Sequence, residues 1–195
     1  MMVDNDMFGG IITGLNMKIY IIGPSCVGKS TVANSISYKE RIPHFDLDMV
    51  FIDRDYLIKT KIFRYRSEKN YKNKIRKILE NNKDWIIEGS YLLENILNEA
   101  EVIVFINLPL SIPLIWQWKR YFTDKNQRDV YGVHNNLILS RWILGQYFGK
   151  ETWKNFNSET SFFIRKCEDT LRNYRNKLIV IKSKKELGEL QIGKK

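Results

Sequence analysis

The 195 residues are 44% hydrophobic and 28% charged, a make-up that excludes disordered and fibrous chains and fits one globular domain with a sizeable core. Against 22 acidic residues stand 32 lysines and arginines, a formal charge of +10 spread along the chain; it suits a small phosphorylated ligand and a solvated surface first, and nucleic acid second. The two cysteines, Cys26 and Cys167, exclude a disulfide scaffold or a zinc site and make a reducing cytoplasm the default.

Residues 1–16 lack the basic start and long apolar middle of a signal peptide and read as a flexible leader before a single domain over 17–195. Ile19 to Ile22 predicts a first strand, and Ser30 to Tyr38 a helix. Ile42 to Leu47, introduced by Pro43, predicts a second strand. "YKNKIRKILENN" places Tyr71, Ile75, Ile78 and Leu79 on one helical face. "DWIIEG" predicts a third strand ending at Gly89, and Val102 to Asn107 a fourth. The apolar segment from Val102 to Trp116 contains Asn107, Pro109, Ser111 and Pro113, so it reads as strand, turn and helix start, not as a membrane span. A long helical stretch with uneven loops covers Ser111 to Arg175, and "KLIVIK" is the last strand. Ser183 and Glu186 then form a capping box for a final helix. Strands alternating with helices predict a parallel sheet covered on both faces, a three-layer α/β/α arrangement with its site beyond the carboxyl ends of the strands.

The first strand runs into "GPSCVGKST", in which Gly23, Gly28, Lys29 and Ser30 fit the phosphate-binding pattern G-x-x-x-x-G-K-[ST]. Gly23, Pro24, Ser25, Cys26, Val27 and Gly28 form a concave run whose N–H groups face phosphate oxygens, and the following helix adds its positive end. Lys29 reaches the β- and γ-phosphates of ATP, Ser30 offers a hydroxyl to magnesium, and Thr31 meets the α-phosphate. Cys26 reads as a small loop residue, since a redox role requires a lowered pKa.

The guanine motif N-K-x-D is absent: "NNKDW" has Trp85 where the aspartate belongs. The chain is also too short for a helicase or transporter ATPase. A small phosphotransferase or a nucleotide-dependent binding module remains. "DLD" supplies Asp46 and Asp48 at the end of the second strand, where two carboxylates hold magnesium-bound water and orient an acceptor. Asp46 is the candidate near the metal and Asp48 the candidate acceptor contact or base, with the two roles exchangeable. Glu88 either binds the acceptor, sits behind the metal or caps the next helix. Phosphoryl transfer spreads negative charge that cations must cover. Arg120 and Arg128 flank a polar lid region at about residues 120–135, and Arg141 is a third candidate. His44 and His134 read as ordinary residues, and Trp116, Trp142 and Tyr147 as core. "SKKELGEL" lies where an adenine-binding loop stands in this architecture.

"MKIYIIGPSCVGKST", "HFDLDMVF", "DWIIEGSY", "EAEVIVFINLPLSIPLIWQWKR" and "KLIVIKSKKEL" together resemble the bacterial DNA topology modulation proteins, the FlaR-like group, from Met17 to the end with a loose middle between Phe122 and Arg175. Those proteins are similar to adenylate kinase and shikimate kinase. The resemblance implies a P-loop NTPase fold with a five-stranded parallel sheet of nucleoside-monophosphate-kinase type and a helical lid. It implies ATP and Mg2+ at Gly23, Gly28, Lys29, Ser30 and Thr31, and a reaction site lined by Asp46, Asp48 and Arg120. Where many members have Asp-Gly, this chain has Glu88-Gly89, and the stretch from Asp53 to Ser67 is more basic than the pattern. The implied activity is transfer of the γ-phosphate to a small acceptor, a nucleoside monophosphate first and a shikimate-like or sugar hydroxyl next, in a monomer or homodimer without a membrane. The alternative is an ATP-binding, nucleic-acid-associated regulator of DNA topology.

Overall fold

The computed structural model describes residues 17–51, 53, 56, 59–60, 66–148 and 164–190. The expected leader lies outside them, as does much of the basic stretch after Asp53. Strand β1 (Lys18–Ile22) leads through the glycine loop into α1 (Lys29–Glu40), and β2 (His44–Asp46) runs directly into α2 (Leu47–Phe51). Then come α3 (Glu68–Asn81), β3 (Trp85–Gly89), α4 (Glu94–Glu99) and β4 (Val102–Ile106). Two long helices follow, α5 (Ser111–Thr123) and α6 (Lys125–Phe148), and then α7 (Ile164–Leu171). A 3-10 turn (Arg172–Lys177) precedes β5 (Leu178–Ile181) and α8 (Lys184–Glu189).

The five strands form one parallel sheet in the order β2-β3-β1-β4-β5. Its strands are apolar almost throughout because helices cover both faces. Side chains alternate accordingly. Tyr20, Ile22, Trp85, Ile87, Ile103 and Phe105 pack toward α2, α3, α4 and α7. Ile19, Ile21, Ile86, Val104 and Ile106 pack toward α1, with Val27, Ala33 and Ile36. Glu88 is the one charged residue in the fully buried β3. By alternation it shares the α1 face with Ile86.

The predicted strands all occur, and the sheet is the expected one. One local reading is corrected. The second strand stops at Asp46, because Leu47 already begins α2. The expected lid region at 120–135 lies, apart from Asp124, within α5 and α6. Tyr71, Ile75, Ile78 and Leu79 do pack into the core. The final helix has its capping box, with the Glu186 N–H donating to Ser183 Oγ at 3.2 Å and the Lys182 N–H donating to Glu186 Oε2 at 2.8 Å. Among the described residues no helix is long and apolar enough to cross a membrane.

Candidate active site

The chain leaves β1 toward β2 and β3, then returns to build β4 and β5 on the opposite side, which places a crevice at the carboxyl end of β1. The glycine loop fills that place, and its residue types are dictated by contact. A Cβ on Gly23 would stand 2.5 Å from the Ile106 carbonyl oxygen, too close for any side chain. Gly28 has φ +90°, the left-handed region, as the residue capping α1. Cys26 is also left-handed, at φ 62°, a conformation that costs a non-glycine residue about 1–2 kcal/mol. Val27 between them is fully buried and roots the loop in the core. Such alternation curls successive N–H groups into an anion-binding nest at a helix start.

Lys29 is only 7% exposed. Its Nζ donates to the Pro24 carbonyl oxygen at 2.8 Å and to Ser90 Oγ at 3.1 Å. Ser90 Oγ in turn donates to the Gly23 carbonyl oxygen at 2.9 Å. The Tyr20 hydroxyl donates to the Tyr91 carbonyl oxygen at 2.7 Å and fixes the turn that presents Ser90. Ser90 is a site residue the sequence reading missed. Its only signal is a hydroxyl two places beyond Glu88.

Asp46 and Asp48 come together, though not by strand alternation. Asp46 ends β2 and Asp48 sits in the first turn of α2, with the Asp48 N–H donating to Asp46 Oδ1 at 2.8 Å. Asp46 is in register with Glu88 on β3. Burial, then the charges of Asp48 and Glu88, push the Asp46 carboxyl up to about 6, against the Asp48 N–H and Lys29. Asp48 is exposed as a residue, yet its carboxyl feels the charges of Lys29 and Glu88. Desolvation and Glu88 raise it, while Lys29 and the Tyr91 hydroxyl oppose.

Glu88 is 2% exposed. Burial works to raise its carboxyl, but His44, Lys29 and the Ser30 hydroxyl outweigh that and hold it below the ordinary range. His44 is the second residue the sequence reading missed. Its Nε2 lies 3.7 Å from Glu88 Oε1, and its Nδ1 is 3.0 Å from Asn34 Oδ1. The third is Gln146 of α6, whose Oε1 accepts the Ser25 N–H at 2.9 Å.

Arg120, on α5, is near enough for its charge to lower the Cys26 thiol, though burial dominates and leaves that thiol raised. Cys26 is therefore not an activated nucleophile. Arg128 lies on α6, and its side chain is outside the described residues. Arg141 is exposed on α6, as are Ser30 and Thr31 at the start of α1. Beside Gly28 stand Trp116 and Leu187, at 3.4 Å and 3.6 Å from where its Cβ would be. The Lys184 ammonium lies 5.5 Å from the Trp116 ring centroid. The expected adenine-loop segment is thus the capped helix α8, set against the phosphate loop.

Among the described residues no three His, Cys, Asp or Glu side chains form a metal cage. The donor set nonetheless fits magnesium, which is commonly bound by one or two carboxylates together with phosphate oxygens and water. Asp46, crowded by two other acids, and the Ser30 hydroxyl are the donors in place.

No protein-family model and no curated protein matches the sequence. In fold the chain is similar to a gluconokinase from Sinorhizobium meliloti 1021, with a TM-score of 0.51 and 11% identity over 89% of this chain and 86% of that one. A shikimate kinase from Bacteroides thetaiotaomicron aligns with a TM-score of 0.40 and 17% identity over 82% and 96% of the two chains. A sugar kinase from Janibacter sp. HTCC2649 aligns with a TM-score of 0.41 and 11% identity over 86% and 85%. None of the three is a DNA topology modulation protein. At 11% identity the likeness to the gluconokinase is one of fold alone.

Proposed function

We propose that the protein is an ATP- and magnesium-dependent phosphotransferase that moves the γ-phosphate to a small acceptor, a nucleoside monophosphate or a similar metabolite. One observation carries this reading: the buried Lys29 ammonium is tied to the phosphate loop at Pro24 and sits within electrostatic reach of Asp46, Asp48 and Glu88. A loop that only bound nucleotide would need no cluster of carboxylates opposite its lysine.

The chain's own groups divide the work. The loop amides and Lys29 hold the triphosphate, and Ser30 with Asp46 would hold magnesium. Bound magnesium would neutralise phosphate charge. A phosphate acceptor attacks the γ-phosphorus in line through an already ionised oxygen, which Asp48 only orients; where the acceptor is a hydroxyl, Asp48 accepts its proton as the oxygen attacks. The bond from that phosphorus to the β,γ-bridging oxygen breaks, and ADP leaves with the bond's electrons. A carboxyl raised above its ordinary range is the better base for this step. Arg120 covers the charge that spreads over the moving group. Glu88, held by His44 and Ser30, fixes the Ser30 hydroxyl in place.

The test is ADP release from magnesium-ATP with a panel of nucleoside monophosphates, sugars and hydroxy acids. One class is expected to stimulate turnover above basal hydrolysis. Lys29→Ala should lower that stimulated rate by about a hundredfold or more while leaving the circular dichroism spectrum unchanged. A Lys29→Ala rate equal to that of the wild type would refute the assignment.

A further inference from the structure

Helix α6 sends one side chain into the phosphate loop. Gln146 is 1% exposed, and its Oε1 accepts the Ser25 N–H across 121 residues of chain. A backbone N–H can only donate, so the atom facing it is the amide oxygen and the other end of the carboxamide is the NH2 group. That nitrogen, Nε2, is buried and has no hydrogen-bond partner among the described residues. A buried, unpaired donor of this kind forfeits its hydrogen bonds to water without replacement, a penalty that a methionine of similar size would not incur. Packing alone therefore does not account for a glutamine here.

Its place in the loop points to a ligand. Lys29 Nζ, the group that reaches the β- and γ-phosphates in loops of this pattern, lies against the Pro24 carbonyl, immediately before Ser25. Immediately after Ser25, Cys26 is the position at which the charges of Arg120, Lys29 and Asp48 are all felt. Ser25 is thus at the terminal-phosphate end of the nest, and the Gln146 carboxamide lies beside it. The helix that carries Gln146 is well anchored. The Tyr147 hydroxyl donates to the Leu108 carbonyl oxygen, and Gln117 of α5 donates to the Asn136 carbonyl oxygen at 2.6 Å.

We propose that Gln146 is a terminal-phosphate contact: Oε1 keeps the Ser25 amide in position and Nε2 donates to a γ-phosphate oxygen. This rests on the phosphotransferase reading and adds to it the residue by which the site tells ATP from ADP. ADP has no γ-oxygen for Nε2 and leaves the donor unpaired. ATP satisfies it, and the bond strengthens as negative charge grows on the phosphoryl oxygens during transfer.

The test is the affinity of magnesium-ATP and magnesium-ADP for the wild type, Gln146→Glu and Gln146→Met, by calorimetry, alongside thermal melts without nucleotide. Gln146→Glu keeps an acceptor for Ser25 and sets an anionic oxygen where the donor was. It should weaken ATP by about tenfold to a hundredfold and change ADP by less than about threefold. Gln146→Met, which keeps the volume and covers the case of a glutamate variant that does not fold, should lower the ATP-over-ADP preference by about tenfold. Equal losses for both nucleotides overturn the inference and mark Gln146 as a strut. Tighter ATP binding by Gln146→Met also overturns it and marks a plug that phosphate displaces. In both cases a wild type that binds ATP leaves the phosphotransferase reading standing. A wild type that binds neither nucleotide overturns that reading and the inference together.

Discussion

Asp46 is a residue whose charged form the fold resists. Its carboxyl titrates at about 6 in the folded chain against an ordinary 3.8, with burial the first cause and the neighbouring acids the second. The sign of the stability effect follows from proton counting. Below pH 3.8 the carboxyl is protonated in both states and contributes nothing. Between 3.8 and about 6 the folded state keeps a proton that the unfolded chain has released, so stability falls as pH rises. Above about 6 the penalty is complete. Asp46→Asn removes it while keeping an acceptor for the Asp48 N–H. At pH 7.5, without nucleotide or metal, the variant should melt about 2–8 °C above the wild type, and the difference should vanish near pH 3.5. Turnover should fall about a hundredfold with ATP affinity little changed, because the lost carboxylate acts in the reaction more than in holding the nucleotide. Melts at the two pH values and steady-state kinetics check both halves. A variant that melts below the wild type at pH 7.5 would show that the carboxylate is welcome where it sits.

Helices α5 and α6 are held in register by a buried polar knot. Gln117 Nε2 donates to the Asn136 carbonyl oxygen, to Asn136 Oδ1 at 3.0 Å and to Ser140 Oγ at 3.1 Å. Two purely apolar helix faces can slide, but hydrogen-bonded polar groups at fixed positions favour one alignment. Arg120 lies one turn beyond Gln117 and Gln146 less than two turns beyond Ser140, so this alignment sets both relative to the loop. Gln117→Ala leaves Asn136 and Ser140 short of partners. It should cost about 1–3 kcal/mol in urea denaturation and reduce turnover as well, whereas an exposed neighbour such as Lys119→Ala should do neither.

Strands and helices were legible in the residue pattern because fully buried parallel strands must be apolar runs. The limits of β2 were not. Ile42 and Leu47 are both buried and flank the three-residue strand, and burial does not mark where a ladder of hydrogen bonds ends. The phosphate loop was legible from local spacing alone. Ser90 and Gln146 reach the same loop from 61 and 121 residues away, and no periodicity encodes such a meeting. His44 read as ordinary because nothing in its own stretch shows that Glu88 will lie beside it.

Among the described residues the charge is sorted. Asp46, Asp48 and Glu88 gather at the site, while most described lysines and arginines stand on helix surfaces. Lys72–Glu68, Arg76–Glu80 and Lys185–Glu189 are exposed pairs one helical turn apart, of the kind that contributes little to stability. The described basic residues are therefore a largely solvated set around an acidic cluster. Duplex DNA should bind weakly at about 50 mM salt, lose binding by about 200 mM, and be indifferent to magnesium-ATP. Anisotropy of a labelled duplex measures this, and binding that responds to ATP would instead favour a regulator of DNA.

Lys29 stands ready before any nucleotide arrives. A lysine confined on binding gives up about 1.5–2 kcal/mol of rotamer entropy. Here Pro24 and Ser90 already confine it, so that loss belongs to folding and would not recur each time a phosphate bound. An incoming phosphate meets a cation whose whereabouts are settled, and a hydroxyl and a carbonyl oxygen keep that cation in place when the product departs.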